Sequence, residues 1–291
     1  MAWLLTNLIK GIAIIIGAMP RFLQIAMGTI LGDIWFYVVP FRRKIALANI
    51  KKAFPDWSDD KVWTTARKNF ENYGCGFIEL LLLPVLDDKL AEKLLIFEGK
   101  KYVEEALKQG KGFFLLSLHI GSWELMSASC TVLKVNLSVI SKKMKSSVIN
   151  DVWVKMRVTN GVKLISEEKS TFDILRAIRR NEGVGFILDQ FLGPPVGSKV
   201  KFFGHETGAP AGLALFADRT RAPVMPVYNI RQSDGRIKVI IEEPIPFMEQ
   251  GSIDKNISFM TQVYTSKIED IVRKYPEQWL WLHRRWKPFR E

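Results

Sequence analysis

A histidine and a glutamate lie five positions apart where an apolar run of the sequence ends. The run, from Gly112 to Leu118, has the length and composition of a short buried strand, and His119 and Glu124 follow it. A neutral imidazole is a base near physiological pH, and a carboxylate within hydrogen-bond reach fixes its tautomer and stabilises the imidazolium that forms. Together the two side chains could activate a substrate hydroxyl.

The chain between the two residues decides whether their side chains meet. On one continuous helix, five positions at about 100° each would leave them roughly 140° apart. Gly121 and Ser122 therefore have to turn the chain, and glycine permits the backbone conformations that such a turn requires. The alternative is a histidine that ends a strand and a glutamate in the first turn of a helix, where its charge suits the helix dipole. Spacing alone leaves both interpretations open.

Hydrophobic periodicity predicts the elements that position these residues. From residue 45 onward, helical and strand patterns alternate, which predicts an α/β fold with a mostly parallel central sheet flanked by helices. In such sheets ligands bind at the carboxyl ends of the strands, where His119 and Asp189 both fall. The segment 191–210 is long for a loop and is predicted to be functional. The predicted helices are 46–54, 58–83, 87–94, 124–133, 147–159, 171–180, 211–220 and 255–274, and the predicted strands are 113–118, 137–141, 162–165, 184–188, 224–230 and 237–242.

The N-terminus contains two apolar stretches, 3–19 with Lys10 inside it and 22–39 with Asp33 inside it. Each is near the lower limit of roughly 17 to 20 residues that a membrane span needs. No small-residue cleavage site follows the first stretch, so a retained N-terminal hydrophobic membrane-anchor helix is favoured over a signal peptide, with a buried helix pair as the alternative. We expect residues 1–40 to form the anchor and 41–291 the catalytic domain, which the basic run at 42–44 places on the cytoplasmic side.

The composition indicates a folded, basic protein. Of its 291 residues 48% are hydrophobic, which is enough for a sizeable core. The 42 basic and 30 acidic residues give a net charge of +12, which implies anionic partners. The sequence has no nucleic-acid-binding motif, so anionic membrane lipids are favoured over nucleic acid. Cys75 and Cys130 lie far apart, and only three histidines are present, so we predict reduced thiols and no metal.

Five motifs, in order along the chain, resemble those of the bacterial lipid A late acyltransferases. That family contains the membrane-bound lauroyl and myristoyl transferases of lipid A biosynthesis, and its wider superfamily acylates other glycolipids. The motifs are Leu-His-Ile-Gly-Ser-Trp-Glu-Leu at 118–125, Arg157 in Lys-Met-Arg-Val-Thr-Asn-Gly-Val, the strand at 182–190 that ends in Asp-Gln, Phe-Phe-Gly at 202–204 followed by Thr-Gly-Ala-Pro at 207–210, and Trp-Leu-His-Arg-Arg-Trp-Lys-Pro at 281–288.

The resemblance implies a glycerolipid-acyltransferase-like fold and a specific reaction. A fatty acyl chain passes from an acyl carrier protein thioester to a hydroxyl of a lipid A precursor, without a cofactor. Transfer is direct, so Ser117 and Ser122 are not predicted to be nucleophiles. His119 is the expected base, and Glu124 is expected to orient it and stabilise its charge.

Arg157 and Asp189 complete the catalytic set that the resemblance implies. Arg157 pairs with Glu124 or holds an oxyanion or phosphate, since its planar guanidinium suits such groups. A salt-bridged surface arginine is the alternative. Asp189 organises that arginine, although a carboxylate at a strand end is often only a helix or turn cap.

Further residues are expected to bind the substrates. Phe202 and Phe203 line an acyl-chain pocket or form a plain core pair. The basic run at 283–285 binds lipid phosphate or is a solvated tail. The expected partners are acyl carrier protein, anionic membrane lipids and a phosphorylated glycolipid, at the bacterial inner membrane. The predicted substrate-binding residues are Lys142, Gln190, Phe202, Phe203, Gly204, His283, Arg284 and Arg285.

Departures from the family pattern bear on the acceptor. The run at 139–144 stands where the family often has an arginine–proline pair, and Ser146 and Ser147 replace a common asparagine–proline. An acyltransferase for another glycolipid or aminolipid is therefore a second hypothesis, and a non-catalytic basic protein that binds membranes is a third. An esterase is disfavoured because the sequence has no Gly-x-Ser-x-Gly elbow.

Overall fold

The computed structural model describes residues 2–128, 132–141, 146, 150–151, 153–155, 158, 161–166 and 170–290. Its helices are α1 Ala2–Ala18, α2 Arg21–Tyr37, α3 Arg43–Ala53, α4 Asp59–Leu80, α5 Asp88–Leu94, α6 Lys100–Lys108, α7 Trp123–Ala128, α8 Ser170–Arg179, α9 Gly212–Thr220 and α10 Ile253–Lys274. Its strands are β1 Leu95–Glu98, β2 Phe113–Ser117, β3 Leu137–Ser141, β4 Val162–Ser166, β5 Gly183–Ile187, β6 Gly197–Phe202, β7 His205–Pro210, β8 Val224–Arg231 and β9 Ile237–Ile241.

The central sheet has seven strands in the order β1-β9-β8-β2-β5-β3-β4. From β8 to β4 all neighbouring strands are parallel, whereas β9 runs antiparallel to β8 and pairs in parallel with β1. The predicted α/β fold with a mostly parallel sheet flanked by helices is therefore confirmed. The parallel register pairs Ser117 of β2 with Ile187 of β5, so the residues that follow these two strands emerge side by side.

The hydrophobic core lies on both faces of the sheet, because all five residues of β2 are buried. Phe114 and Leu116 belong to the cluster that contains residues of α4, α9 and α10. Phe113 and Leu115 belong to the cluster on the other face, with residues of α5 and α6. A strand that is covered on both faces has a continuous apolar run in its sequence, and for this reason the sequence predicts β2 well.

The N-terminal helix α2 packs tightly against α4 through glycines. A Cβ at Gly28 or Gly32 would overlap the backbone of α4, and one at Gly74 would overlap the backbone of α2. The two helices are also joined by Arg21, which pairs with the buried carboxylate of Glu79. In the part of the chain that the structure describes, no helix has the length and apolar character to cross a membrane.

The segment 191–210 contains more regular structure than the sequence predicts. Strands β6 and β7 pair antiparallel and turn at Phe203 and Gly204, whose φ angles are 52° and 74°. The interpretation of the whole segment as a loop is therefore wrong. Its glycines and prolines conceal the alternation of β6, in which Val200 and Phe202 are buried and Lys201 is exposed. Strand β1 and helix α6 are also additional to the prediction, and most of the helix predicted at 147–159 falls outside the described residues.

Candidate active site

The candidate active site begins at His119, two residues beyond the end of β2. The flanking Leu118 and Ile120 are fully buried and hold the backbone in the core, while the His119 side chain remains 20% exposed. The C-terminal segment passes alongside, with Leu280 donating its N–H to the His119 carbonyl at 3.0 Å and Ile120 forming a β-bridge with Trp279. His119 therefore lies on rigid backbone, with its ring reaching a partly open space.

Asp189 is bound to His119 through two hydrogen bonds. Nδ1 of the ring lies 2.8 Å from Oδ1, and the His119 backbone N–H donates to Oδ2 at 2.9 Å. The register of β2 and β5 explains this contact, since each residue is two positions beyond the paired Ser117 and Ile187. The carboxylate on Nδ1 is thus that of Asp189, whereas the resemblance implies Glu124 as the orienting group and a role for Asp189 beside Arg157. Adjacent parallel strands thus bring His119 and Asp189 together, a contact that the spacing of residues along the chain does not predict.

A third hydrogen bond holds Asp189 in its charged form. The indole N–H of Trp279 donates to Oδ2 at 2.8 Å, and both residues are buried. Burial raises the pKa of the Asp189 carboxyl, but the charge and hydrogen bonds of His119 and the Trp279 donor outweigh it, so its pKa lies below the ordinary value. The ionised carboxylate accepts a hydrogen bond from the Nδ1–H of His119, and in that tautomer the basic lone pair of the imidazole is on Nε2.

The turn between His119 and Glu124 is shaped by Asn229 of β8, which is fully buried. Its Oδ1 accepts the N–H of Ser122 at 2.7 Å, and its Nδ2 donates to the carbonyl of Ile120 at 3.0 Å. Gly121 between them has a φ of 59°, and a Cβ there would overlap Asn229. The glycine thus permits both the turn and the close approach of the amide, as the sequence predicts for a turn at this position.

Glu124 lies in the first turn of α7 and lines a cavity of about 380 Å³, which we call the helical cavity. Among the residues of its lining that the structure describes, Glu124 is the charged one, and most of the others are apolar. The lining includes Trp35 of α2, Tyr73, Phe77 and Leu80 of α4, Trp123, Leu280 and Leu282.

A second apolar cavity, of about 70 Å³, lies on the face of the sheet opposite α4; we call it the sheet cavity. Trp123 lines both cavities and packs edge-on against the His119 ring, with 5.5 Å between centroids. The candidate base therefore contacts a side chain that both apolar cavities share. The sheet cavity is lined by Ser117, Trp123, Met126 and side chains of β2, β3, β5, β8 and β9.

The predicted substrate-binding residues are scattered. Gln190 is half-buried beside Asp189, and Gly204 is exposed at the hairpin turn. Phe202 and Phe203 are buried in an aromatic cluster with Trp279, Trp281 and Trp286, and neither lines the helical or the sheet cavity, as the core-pair alternative predicts.

The three basic residues at 283–285 have different surroundings. Arg284 is exposed, but Arg285 is only 1% exposed. Its guanidinium donates to the carbonyl of Gly208 at 2.6 Å and so anchors the C-terminal segment to β7. Burial lowers the pKa of Arg285 to about 10 and that of His283 to about 4, so His283 is neutral at physiological pH. The expectation of a phosphate-binding run therefore fits Arg284 and not Arg285. Arg157 and Lys142 lie outside the described residues.

Comparison with known proteins identifies the family to which this protein belongs. Residues 2–288 match the family described as bacterial lipid A biosynthesis acyltransferase. The chain belongs to that family. It is 23% identical to the lipid A biosynthesis lauroyltransferase of Escherichia coli K12 over 97% of this chain and 91% of the relative. It is 25% identical to the palmitoleoyltransferase of the same pathway in that organism, over 90% and 84% of the two chains.

The chain is also similar to the phosphatidylinositol mannoside acyltransferase of Mycobacterium tuberculosis, whose name gives a different acceptor. It is 23% identical over 75% of this chain and 69% of the relative. All three relatives are named acyltransferases, so the protein is an acyltransferase, and the family match supports acyl transfer in lipid A biosynthesis.

Sequence reasoning missed Trp279 and Asn229 as parts of the site. The only signal for Asn229 is a polar residue within an otherwise apolar strand.

Proposed function

We propose that this acyltransferase transfers a fatty acyl chain from an acyl carrier protein thioester to a hydroxyl of a lipid A precursor. The observation that carries the proposal is the His119–Asp189 pair, which lies at the carboxyl ends of two parallel strands and beside two apolar cavities. Apolar linings of this kind suit alkyl chains, which are the common feature of the donor and the acceptor.

In the proposed reaction Nε2 of His119 accepts the proton of the acceptor hydroxyl as the hydroxyl oxygen attacks the thioester carbonyl carbon. The tetrahedral intermediate collapses with cleavage of the C–S bond, and the imidazolium returns its proton to the leaving thiolate. Asp189 stabilises the imidazolium between these two steps, since its ionised carboxylate is bound to Nδ1. The ester forms directly, without an acyl-enzyme.

Glu124 and Arg157 remain catalytic residues in the proposal. Glu124 lines the helical cavity and follows His119 by five positions, so its carboxylate would supply negative charge close to the acceptor hydroxyl. Arg157 would pair with Glu124 or hold the developing oxyanion, because guanidinium binds either group in a bidentate manner. Neither role involves Nδ1 of His119, which Asp189 occupies.

We also propose that the protein acts at the bacterial inner membrane, with its catalytic domain facing the cytoplasm. Residues 1–40 would be the anchor, and anionic lipids would attract the basic residues that follow. Supporting this, α1 and α2 carry exposed apolar side chains such as Ile15, Phe22 and Ile30, which are 59–69% exposed.

The test is mass spectrometry of lipid A from bacterial cells that lack their own late acyltransferases. Wild type and His205→Ala should each add the mass of one acyl chain, while His119→Ala should reduce the yield at least about 100-fold, as removal of a general base does. His205 is the matched control because it is an exposed histidine on β7. Wild-type turnover by His119→Ala would overturn the mechanism.

Transfer to another glycolipid is the second candidate, favoured by the similarity to the mannoside acyltransferase. Mass analysis of the whole lipid extract from the same cells separates the two. If wild type adds one acyl chain to a lipid other than lipid A and His119→Ala does not, that lipid is the acceptor. The proposed reaction would then stand with a different acceptor. No gain in any lipid, with folded protein present, would contradict both candidates.

A further inference from the structure

Four cationic side chains surround one surface pocket at the start of α3. Its lining combines Arg42, Arg43 and Lys44 with Arg284, which lies near the other end of the chain. The pocket is open and encloses about 450 Å³. We call it the basic pocket, and it is separate from the residues of the proposed reaction.

The positive charge of the basic pocket is not neutralised within the described part of the chain. None of its four cations forms an ion pair there, and the first turn of α3 has no acidic residue. Most other buried or half-buried arginines that the structure describes do have carboxylate partners, namely Arg21, Arg67 and Arg231. A concentrated charge without counter-charge attracts an anion.

Backbone carbonyls hold two of these cations in place. Arg42 donates to the carbonyl of Leu282 at 3.2 Å, and Arg43 donates to the carbonyl of Phe36 at 2.6 Å. The Arg43 guanidinium also lies over the rings of Phe36 and Trp63. These contacts fix the positions of the guanidinium groups while leaving their net charge intact, as a binding site for phosphate requires.

The surroundings of the basic pocket indicate that its anion is carried by a lipid. Tyr37, Val38, Val39 and Phe41 adjoin it in sequence and are 50–72% exposed. A ligand that matches both this apolar surface and the four cations has a phosphate and a hydrocarbon part. Leu282 connects the two sites, because its carbonyl accepts from Arg42 and its side chain lines the helical cavity beside Glu124.

We propose that the basic pocket binds a phosphate group carried by a lipid. Two sources supply this chemistry: the headgroup of an anionic phospholipid in the membrane, and a phosphate of the glycolipid acceptor. The second source rests on the proposed acceptor, and the first rests on the proposed membrane location and not on the proposed reaction. In either case the bound phosphate would hold a lipid close to Leu282, which also lines the helical cavity.

The test compares two variants that lose equal charge. The pocket variant combines Arg42→Asn, Lys44→Gln and Arg284→Gln, with asparagine at 42 because the backbone there has a φ of 62°, which asparagine tolerates. The control variant combines Arg179→Gln, Arg180→Gln and Arg219→Gln, which are exposed arginines elsewhere. Arg43 is left unchanged because it packs on two rings. Thermal melts should show both full-length variants folded.

The first measurement is co-sedimentation with vesicles of equal parts phosphatidylcholine and phosphatidylglycerol. The pocket variant should bind about 100-fold more weakly than wild type, since each cation near an anionic surface contributes about fivefold. The control variant should lose far less. Vesicles of phosphatidylcholine alone should bind all three proteins equally.

The second measurement is acyl transfer in neutral detergent, with a lipid A precursor before and after enzymatic removal of its phosphates. A KM raised about tenfold in the pocket variant for the phosphorylated acceptor alone, with kcat unchanged, would assign the phosphate to the acceptor. Weaker vesicle binding with an unchanged KM would assign it to the membrane headgroup. Pocket and control variants that behave alike in both assays would overturn the proposal. Absence of acyl transfer by wild type would contradict the proposed function, while the vesicle assay still decides the basic pocket.

Discussion

Two buried carboxylates, Asp189 and Glu79, are compensated in different ways. Asp189 accepts hydrogen bonds from His119 and Trp279, and of these two donors His119 is the titratable one. Glu79 is paired with both Arg21 and Arg231, whose guanidinium groups stay charged at any physiological pH. In both cases burial raises the pKa of the carboxyl, but the partners outweigh it and hold the pKa below its ordinary value.

This difference indicates a structural role for the Glu79 cluster and a chemical role for the Asp189 cluster. The Glu79 cluster joins α2, α4 and β8 and offers no group that can exchange a proton near neutral pH. The Asp189 cluster ends in an imidazole whose ring is partly exposed next to two cavities. A buried carboxylate thus becomes part of a site when its partner can gain and lose a proton within reach of a ligand.

The largest effect is expected from Asp189→Asn. Asparagine has the same shape but no charge, so the imidazolium loses its counter-charge and kcat should fall about 10²- to 10⁴-fold. The thermal midpoint should change little by comparison. Initial-rate kinetics and a thermal melt of the same preparation measure both quantities. A variant that lost stability and kept its rate would reverse the assignment of the two clusters.

The opposite pattern is expected from Glu79→Gln. It leaves two half-buried guanidinium groups without a carboxylate, which should cost roughly 3–5 kcal/mol of unfolding free energy. The rate per folded molecule should stay near that of wild type. Urea unfolding gives the free energy, with Glu206→Gln as a control because Glu206 forms an exposed ion pair with Lys199. Equal midpoints for the two variants would contradict the prediction.

Asn229→Ala should affect the turn that carries His119. It leaves the N–H of Ser122 and the carbonyl of Ile120 without their side-chain partner, at roughly 1–3 kcal/mol for each buried group. We expect kcat to fall more than tenfold while KM changes little, since the turn positions the base. Asn229 is a positioning residue, so steady-state kinetics with folded protein should separate this loss from instability. An unchanged kcat would mean that Gly121 alone shapes the turn.

Trp279→Phe should have a smaller effect. Phenylalanine keeps the aromatic packing but removes the N–H that donates to Asp189, which costs about 1.5–3 kcal/mol for a hydrogen bond to a charged group. We expect a loss of stability in this range and a kcat reduced about tenfold. Trp286→Phe is the control, because its indole donates to the carbonyl of Phe202 away from Asp189. Identical kinetics for the two variants would remove Trp279 from the site.

The pH dependence of stability should show two windows. Burial lowers the pKa of His283 to about 4, so the unfolded chain binds its proton first and stability falls as pH drops from about 6.5 to about 4. The depressed pKa values of Asp189 and Glu79 contribute stability above the ordinary carboxyl range, and this is lost at lower pH, as these groups become protonated. His283→Gln should flatten only the upper window in melts between pH 4 and 7. An unchanged slope there would contradict the assignment to His283.

The sequence alone determined the local features of this protein. The buried strands β2, β3 and β5 are apolar runs bounded by turn residues, and their predicted limits agree with the structure to within one residue. The motif residues also identified the family, because the order of motifs along the chain can be read from the sequence without knowing which residues are in contact. The position of Gly121 followed from a local requirement, the need to turn the chain before α7.

Only the tertiary structure decided which side chains meet. His119 and Asp189 are 70 positions apart, and Trp279 is 90 positions from Asp189, so their contact depends on strand order and on the path of the C-terminal segment. The same is true of Asn229 and of the basic pocket, which joins residues from both ends of the chain. Periodicity reports which face of an element is buried, but it carries no information about which distant element covers that face.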